Sequence, residues 1–122
     1  MDLKILSPGF SVCKIPDLSM VNFKDDYIFI GKTEEELSLV CDTGHIPDNY
    51  TEREDNWKAF KIQGQLDFSL IGILSEITKI LADNKIGVFA ISTYNTDYIL
   101  VKEDKLSLAI KSLDGAGYGI VS

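Results

Sequence analysis

Residues Leu70–Lys102 read LIGILSEITKILADNKIGVFAISTYNTDYILVK, and this stretch decides the fold. Its first part carries apolar residues at three- and four-residue steps, which predicts an amphipathic helix: Leu70, Ile73, Leu74, Ile77, Ile80 and Leu81. Its second part predicts two strands, VFAIST (88–93) and YILVK (98–102), joined by a tight turn. The first of these strands is almost entirely apolar, which predicts burial on both of its faces.

The flanking segments complete a recognisable order of elements. Upstream, WKAFKIQ (57–63) alternates apolar and polar residues and predicts a strand. Downstream, an apolar stripe predicts a second helix that opens with Glu103 and Asp104, and Tyr118–Val121 supplies a last strand. The order strand, helix, strand, strand, helix, strand is that of an α+β, ferredoxin-like βαββαβ fold with both helices on one face of an antiparallel sheet.

The first half is rich in short strands and has no convincing helix. Strands are predicted at 3–6, 10–15, 27–30 and 37–41, lying beside the second-half sheet and extending it. The polar stretch Asp42–Asn56 is expected to be a long exposed loop, so the chain divides into residues 1–56 and 57–122. DYIFIGKTEEELSL (26–39) echoes DYILVKEDKLSL (97–108), which is either a degenerate internal duplication or chance.

Composition excludes several classes of protein. The formal net charge is -7 and Arg53 is the single arginine, so a polyanion would meet net repulsion and nucleic-acid binding is not expected. No apolar run approaches the roughly 20 residues of a membrane span, and MDLKILSPGF lacks the features of a signal peptide. Cys13 and Cys41 each lie in an apolar run and are expected to be buried free thiols. These features predict a cytoplasmic protein.

Catalytic and metal sites find little support. His45, the only histidine, lies in the turn-like sequence TGHIPD and is expected in a surface loop. A small hydrolase that uses Cys41 and His45 is the least favoured function, because no periodic element positions the pair. The chain shows no zinc-ligand spacing, calcium loop or glycine-rich phosphate loop. We therefore expect no enzyme activity, no metal and no cofactor.

Several residues near the predicted start of the first helix could bind a small ligand. Gly72 allows two interpretations: close packing of the first turn against a strand, or a bare backbone that lets a ligand reach free helix amides. Ser69 is a plausible N-cap. Asp67 could be a second cap or could hold an ammonium group. Asn95 and Asp97 are expected to hold the turn after the first hairpin strand.

These residues resemble a known family. Gly64–Leu113 resembles an ACT domain through the serine-threonine-aromatic turn followed by DYILV and through Gly72-Ile73-Leu74. ELSLVC and HIPD in the first half are similar to the small tandem-ACT bacterial proteins, with the regulatory domains of aspartate kinases as broader relatives. The resemblance implies a ferredoxin-like ACT domain preceded by a degenerate, strand-rich ACT-like half. Ile71 stands where family members carry a proline before the glycine.

The resemblance also implies a function and a site. ACT domains are regulatory, non-enzymatic modules that bind free amino acids where two sheets meet side by side, which implies a homodimer and a possible partner enzyme. By position, one wall of the site would consist of the loop residues Asp67, Phe68, Ser69, Leu70, Ile71 and Gly72. The other wall would consist of Ile91, Ser92 and Thr93. The alternative is a ligand-free interaction or scaffold subunit that regulates a partner enzyme.

Overall fold

The computed structural model describes residues 1–63 and 72–122, which form two compact units. Unit 1 comprises Met1–Ser7 and Lys58–Ser122, and unit 2 comprises Pro8–Trp57. The helices are α1 (Ile73–Asp83) and α2 (Leu106–Gly115). The strands are β1 (Asp2–Ile5), β2 (Phe10–Lys14), β3 (Ile28–Lys32), β4 (Leu37–Asp42), β5 (Glu52–Ile62), β6 (Val88–Ser92), β7 (Asp97–Lys102) and β8 (Gly119–Val121).

Unit 1 has the predicted order of elements, with one addition. The last part of β5 is followed by α1, β6, β7, α2 and β8, which confirms the βαββαβ pattern. The strands lie in the order β6-β7-β5-β1-β8. β1 pairs antiparallel with β5, where Leu3 faces Ile62, and parallel with β8, where Leu3 faces Ile120. The N-terminal strand is therefore inserted into this sheet between β5 and β8, whereas the sequence predicted that it would extend the sheet from outside.

The core of unit 1 lies between this sheet and its two helices. Ile77 and Leu81 of α1 and Ala109 and Leu113 of α2 are fully buried, as the helical spacing of these apolar residues predicts. They pack in one cluster with strand residues that alternate along their strands: Leu3, Phe60, Ile62, Ile99 and Val101. Burial of each large side chain of this kind contributes about 1.5–3 kcal/mol, so this layer is the main source of stability for unit 1.

The start of α1 differs from the sequence prediction. The helix begins at Ile73, and its N-cap is Gly72 with φ 90°, rather than Ser69. A left-handed backbone at the cap favours glycine, which has no Cβ to clash. The Gly72 carbonyl accepts from the Glu76 amide at 2.8 Å and so makes the first bond of the helix. Ser69 and Leu70, the predicted cap and first turn, lie outside the described residues.

β6 is less buried than its composition predicts. Val88, Phe89 and Ile91 are only half-buried and Ala90 is exposed, so the prediction of burial on both faces is wrong. The reason is position: among the described residues β6 pairs with β7 alone and forms the edge of the unit 1 sheet. An apolar edge strand leaves backbone groups available for pairing with another chain.

Unit 2 is a sheet without an α-helix in residues 8–57. Its order is β3-β4-β2 followed by the first part of β5, and it adds one short 3-10 turn at Thr43–His45. One cluster of its core consists of Cys13, Ile15, Leu39 and Cys41, and Phe10 and Val40 are buried as well. The four predicted first-half strands are confirmed, counting β1 of unit 1, with bounds shifted by one or two residues.

The polar stretch 42–56 is not a loop throughout. β5 begins at Glu52, and its first residues pair with β2 through Lys14–Glu52 and Cys13–Arg53. Strand formation here depends on backbone pairing. The polar side chains of residues 52–54 remain exposed, so they lose no hydration when the strand forms. Apolar alternation was the only strand signal used, and these residues do not carry it.

A structural repeat relates the two units. β3, a four-residue turn, β4 and a 3-10 turn recur as β6, a four-residue turn, β7 and a 3-10 turn, so that residues 28–45 match residues 88–105 with a constant offset of 60. Both turns close with the same bond: Thr33 N–H to Glu36 O and Thr93 N–H to Thr96 O, each 2.9 Å. β4 and β7 also share one burial pattern. The sequence echo of 26–39 with 97–108 was therefore read in the wrong register.

The layer beneath the helices can be tested with two leucines. Leu81→Ala empties a fully buried site and is expected to lower the free energy of unfolding by about 2–5 kcal/mol. Leu108→Ala removes the same atoms from a side chain that is 40% exposed and is expected to cost less than about 1 kcal/mol. Urea denaturation of both variants measures the difference, and equal losses would contradict the described core.

Candidate ligand-binding site

The turn between β6 and β7 is fastened to the end of β5. Thr96, although polar, is buried, and its hydroxyl donates to the carbonyl of Ile62 at 2.8 Å. The Thr93 hydroxyl donates to the Thr96 carbonyl at 2.8 Å and closes the turn. The sequence interpretation had assigned this role to Asn95 and Asp97 and missed Thr96. Both equivalent turns begin with a threonine, Thr33 and Thr93, whose hydroxyl bonds within the turn. This shared threonine is a sequence signal for the turn itself, whereas no such signal marks Thr96.

This fastening brings together the two places where the predicted site begins. Ile62 is the last residue of β5, just before residues 64–71. The turn bound to its carbonyl directly follows Ser92, the last residue of β6. Of the predicted ligand residues, Asp67, Phe68, Ser69, Leu70 and Ile71 lie outside the described part of the chain. Gly72, Ile91, Ser92 and Thr93 are described, and each has a distinct environment.

Gly72 lies in the open at the start of α1. A Cβ built on it would meet no atom of residues 1–63 and 72–122 within 4 Å, so these residues do not support the interpretation that glycine is needed for close packing. Its positive φ explains the residue instead. Among the described residues nothing covers Gly72, which is exposed at the helix N-terminus, where amide groups without helical partners carry a partial positive charge.

Ile91, Ser92 and Thr93 do not present one common surface. Directly paired residues share a face of the sheet, and the pairing of Ala90 with Ile99 and of Ser92 with Asp97 places Ser92 on the face covered by the helices. Ile91 pairs with Tyr98 on the opposite face. The Thr93 hydroxyl is engaged in the turn. Of the three residues, Ser92 is therefore the one that is exposed on the face covered by the helices.

A tyrosine–carboxylate bond braces the same helix turn. The hydroxyl of Tyr118, which precedes β8, donates to Oε1 of Glu76 in the first turn of α1 at 2.7 Å. Burial of the phenol, and then the hydrogen bond and negative charge of Glu76, raise the pKa of Tyr118 to about 12. All these effects favour the neutral phenol, so the brace persists at neutral pH.

The environments of Cys41 and His45 do not favour a Cys–His hydrolase. Cys41 is a buried free thiol, and burial, with Cys13 and the nearby aspartates, raises its pKa to about 12, so it is not a thiolate at neutral pH. His45 is 52% exposed, as predicted, and its Nδ1 lies 3.2 Å from Oδ2 of Asp25.

Within residues 1–63 and 72–122, no group of three or more His, Cys, Asp or Glu side chains could hold a metal. In the same ranges no helix is long and apolar enough to cross a membrane.

Comparison with known proteins identifies the family. The family model for the ACT domain matches residues 52–114, more than half of the chain. The chain belongs to the ACT domain family. Membership implies a regulatory role through binding of small molecules such as amino acids, and the ferredoxin-like architecture of unit 1 agrees with it.

Individual relatives agree with this family. The cytosolic arginine sensor for mTORC1 subunit 1 of Rattus norvegicus is 37% identical over 67 residues, which cover 54% of this chain but only 20% of that protein. The chain thus spans about a fifth of the length of this curated relative. The crystal structure of the protein Atu0741 from Agrobacterium tumefaciens matches with a TM-score of 0.87 at 28% identity, covering 98% of this chain and 91% of that one.

A chain of an aspartokinase structure shares the fold as well. The crystal structure of aspartokinase alpha and beta subunits matches with a TM-score of 0.69 at 15% identity and covers 95% of this chain and 97% of that chain. At this identity the likeness shows the fold alone. The whole length of the ACT protein, including unit 2, therefore has counterparts among solved structures.

The Tyr118 brace predicts a loss of stability at alkaline pH. Unfolded tyrosine ionises near pH 10, whereas folded Tyr118 keeps its proton to about pH 12. Between these values the folded state binds more protons, so the stabilisation is present below pH 10 and is lost as the pH rises toward 12. Tyr118→Phe should flatten the decline in urea midpoint between pH 9 and 11. An unchanged pH profile would contradict the brace.

The turn fastening predicts contrasting effects of two neighbouring substitutions. Thr96→Val leaves the Ile62 carbonyl without its partner and is expected to cost about 1–3 kcal/mol of unfolding free energy. Asn95→Ala, in the exposed part of the turn, is expected to cost less than about 0.5 kcal/mol. Urea denaturation of both proteins decides which residue holds the turn, and a larger loss for Asn95→Ala would restore the sequence interpretation.

Proposed function

We propose that this ACT protein is a non-enzymatic regulatory module that binds a free amino acid at an interface between two ACT units. One wall of the site consists of Asp67, Phe68, Ser69, Leu70, Ile71 and Gly72, and the other consists of Ile91, Ser92 and Thr93 of a neighbouring unit. The observation that supports the proposal is the bond from Thr96 to the Ile62 carbonyl, which holds the end of β6 and the root of the 64–71 segment at the same end of unit 1. Two copies that meet at this end would bring the 64–71 segment of one copy close to Ser92 of the other.

The chemistry of this end of unit 1 suits a zwitterion. The open approach at Gly72 lets a carboxylate reach the first amides of α1. The Asp67 carboxylate is the group proposed to bind the ligand ammonium, through a charge-assisted hydrogen bond. Ser92, exposed on the helix-bearing face, adds a neutral hydrogen bond. The ligand's side chain would lie against the apolar loop residues Phe68 and Ile71.

The edge strand β6 is the proposed meeting place of two copies. Its backbone pairs with β7 on one side, and its half-buried Val88, Phe89 and Ile91 give an apolar edge that a second copy could cover. A two-fold homodimer would then place Ser92 of one copy against the loop of the other. We propose that the module acts in the cytoplasm, either alone or on a partner enzyme, as the regulatory relatives suggest by analogy.

A panel of free amino acids tests this proposal by thermal unfolding. A ligand present at a hundred times its dissociation constant should stabilise the protein by about 2.7 kcal/mol, which corresponds to a rise in Tm of about 10 °C for a domain of this size. Asp67→Ala should abolish most of the rise. Asp104→Ala, an exposed aspartate at the start of the second helix region, is the matched control and should leave it intact.

The opposite result has a clear meaning. If none of the twenty amino acids at millimolar concentration moves Tm, amino-acid binding is contradicted. A partner enzyme that still copurifies with the protein would then favour the ligand-free scaffold function.

A further inference from the structure

Unit 2 contains an open groove at the end of its own hairpin. Its volume is about 400 Å³, within the range of small-molecule sites. The groove lies between the end of β2, the β3–β4 turn and Thr51. The Ile15 amide donates to the Leu37 carbonyl at 3.0 Å and the Thr51 amide to the Lys14 carbonyl at 2.9 Å. The walls are therefore held by backbone bonds and do not depend on surface side chains alone.

The structural repeat gives this groove a counterpart. The turn 33–36 that forms one wall matches the turn 93–96 of unit 1, and each is closed by the bond between its first and last residues. The lining side chains have diverged: Lys32 stands at the position of Ser92, and three glutamates stand at the positions of Tyr94, Asn95 and Thr96. A surface that is neutral in unit 1 is thus strongly charged in unit 2.

Both signs of charge line the groove. Lys32 has no ion pair within the described residues, while Lys14 lies 3.3 Å from Glu52 in an exposed pair. The amides of Glu35 and Glu36 both donate to the Thr33 hydroxyl, which fixes the backbone of the turn. The Glu36 carboxylate accepts from the Ser38 hydroxyl. Two lysines and three glutamates give the lining a net charge of -1. The arrangement favours a ligand that carries one anionic and two cationic groups.

We propose that this groove is a second ligand site and that it binds a free basic amino acid. The α-carboxylate pairs with Lys32 and the two cationic groups pair with the glutamates of residues 34–36. Thr51, whose hydroxyl donates to the Lys14 carbonyl, also lines the groove. The site lies wholly within unit 2 and does not depend on the site proposed for unit 1. Because the groove is open, its ion pairs are screened and binding should weaken with salt.

The experiment is a titration of ¹⁵N-labelled protein with L-arginine, followed by amide resonances at constant ionic strength. Saturable shifts are expected at residues 33–37, 14, 15 and 51. Lys32→Ala should raise the dissociation constant for L-arginine about tenfold, the effect of one lost charge-assisted contact. The same substitution should not weaken the binding of agmatine, which lacks the carboxylate. The double substitution Glu34→Gln and Glu35→Gln should weaken the binding of both L-arginine and agmatine. Lys111→Ala removes an exposed lysine on α2 and should change the binding of neither.

Each outcome of the titration either supports or overturns the proposed groove site. Saturable shifts at 33–37 with the expected variant effects support the site, whether or not residues 91–96 respond. Shifts that do not saturate, or that sodium chloride reproduces, would show a solvated charged edge and overturn it. Saturable shifts confined to residues 72–76 and 91–96 would overturn it too, while leaving the function proposed for unit 1 in place.

Discussion

Unit 1 depends on the burial of one apolar face of its sheet beneath two amphipathic helices. Ile77 and Leu81 of α1 share this layer with Phe60, Ile62 and Ile99 of the strands. Because the layer fixes where the helices and strands end, it also fixes the end of the unit at which Gly72 and Ser92 lie. The buried Thr96 hydroxyl then fastens the turn to the Ile62 carbonyl. Hydrophobic burial sets the position of the site, and one polar bond refines it.

Periodicity in the sequence was enough to predict unit 1, because a helix stripe and alternating strands are direct consequences of burial on one face. It could not predict that β1 would enter the sheet between β5 and β8, since alternation does not specify a partner strand. It missed the start of β5 at Glu52, where backbone pairing acts without apolar side chains. Gly72 and Ser92 were found as candidates, but Thr96 was not, because a buried threonine looks in sequence like any turn residue.

The two units contain hairpins of the same geometry. Unit 1 keeps two helices over its hairpin, whereas unit 2 has none, and their matched turns now differ in charge while sharing the bond that closes them. Residues 28–45 and 88–105 thus share backbone geometry while their turn side chains differ. This pattern is expected of a regulatory family in which the fold stays constant and the turn residues determine what is bound.

The central claim is that a ligand binds between the 64–71 segment of one unit and the end of β6 in a neighbouring unit. The most direct measurement is a crystal structure of the protein grown with the amino acid that stabilises it most. The account predicts density for that amino acid between Asp67–Gly72 of one unit and Ser92 of its neighbour. A stabilising amino acid bound elsewhere, with this end of unit 1 covered only by solvent, would contradict it.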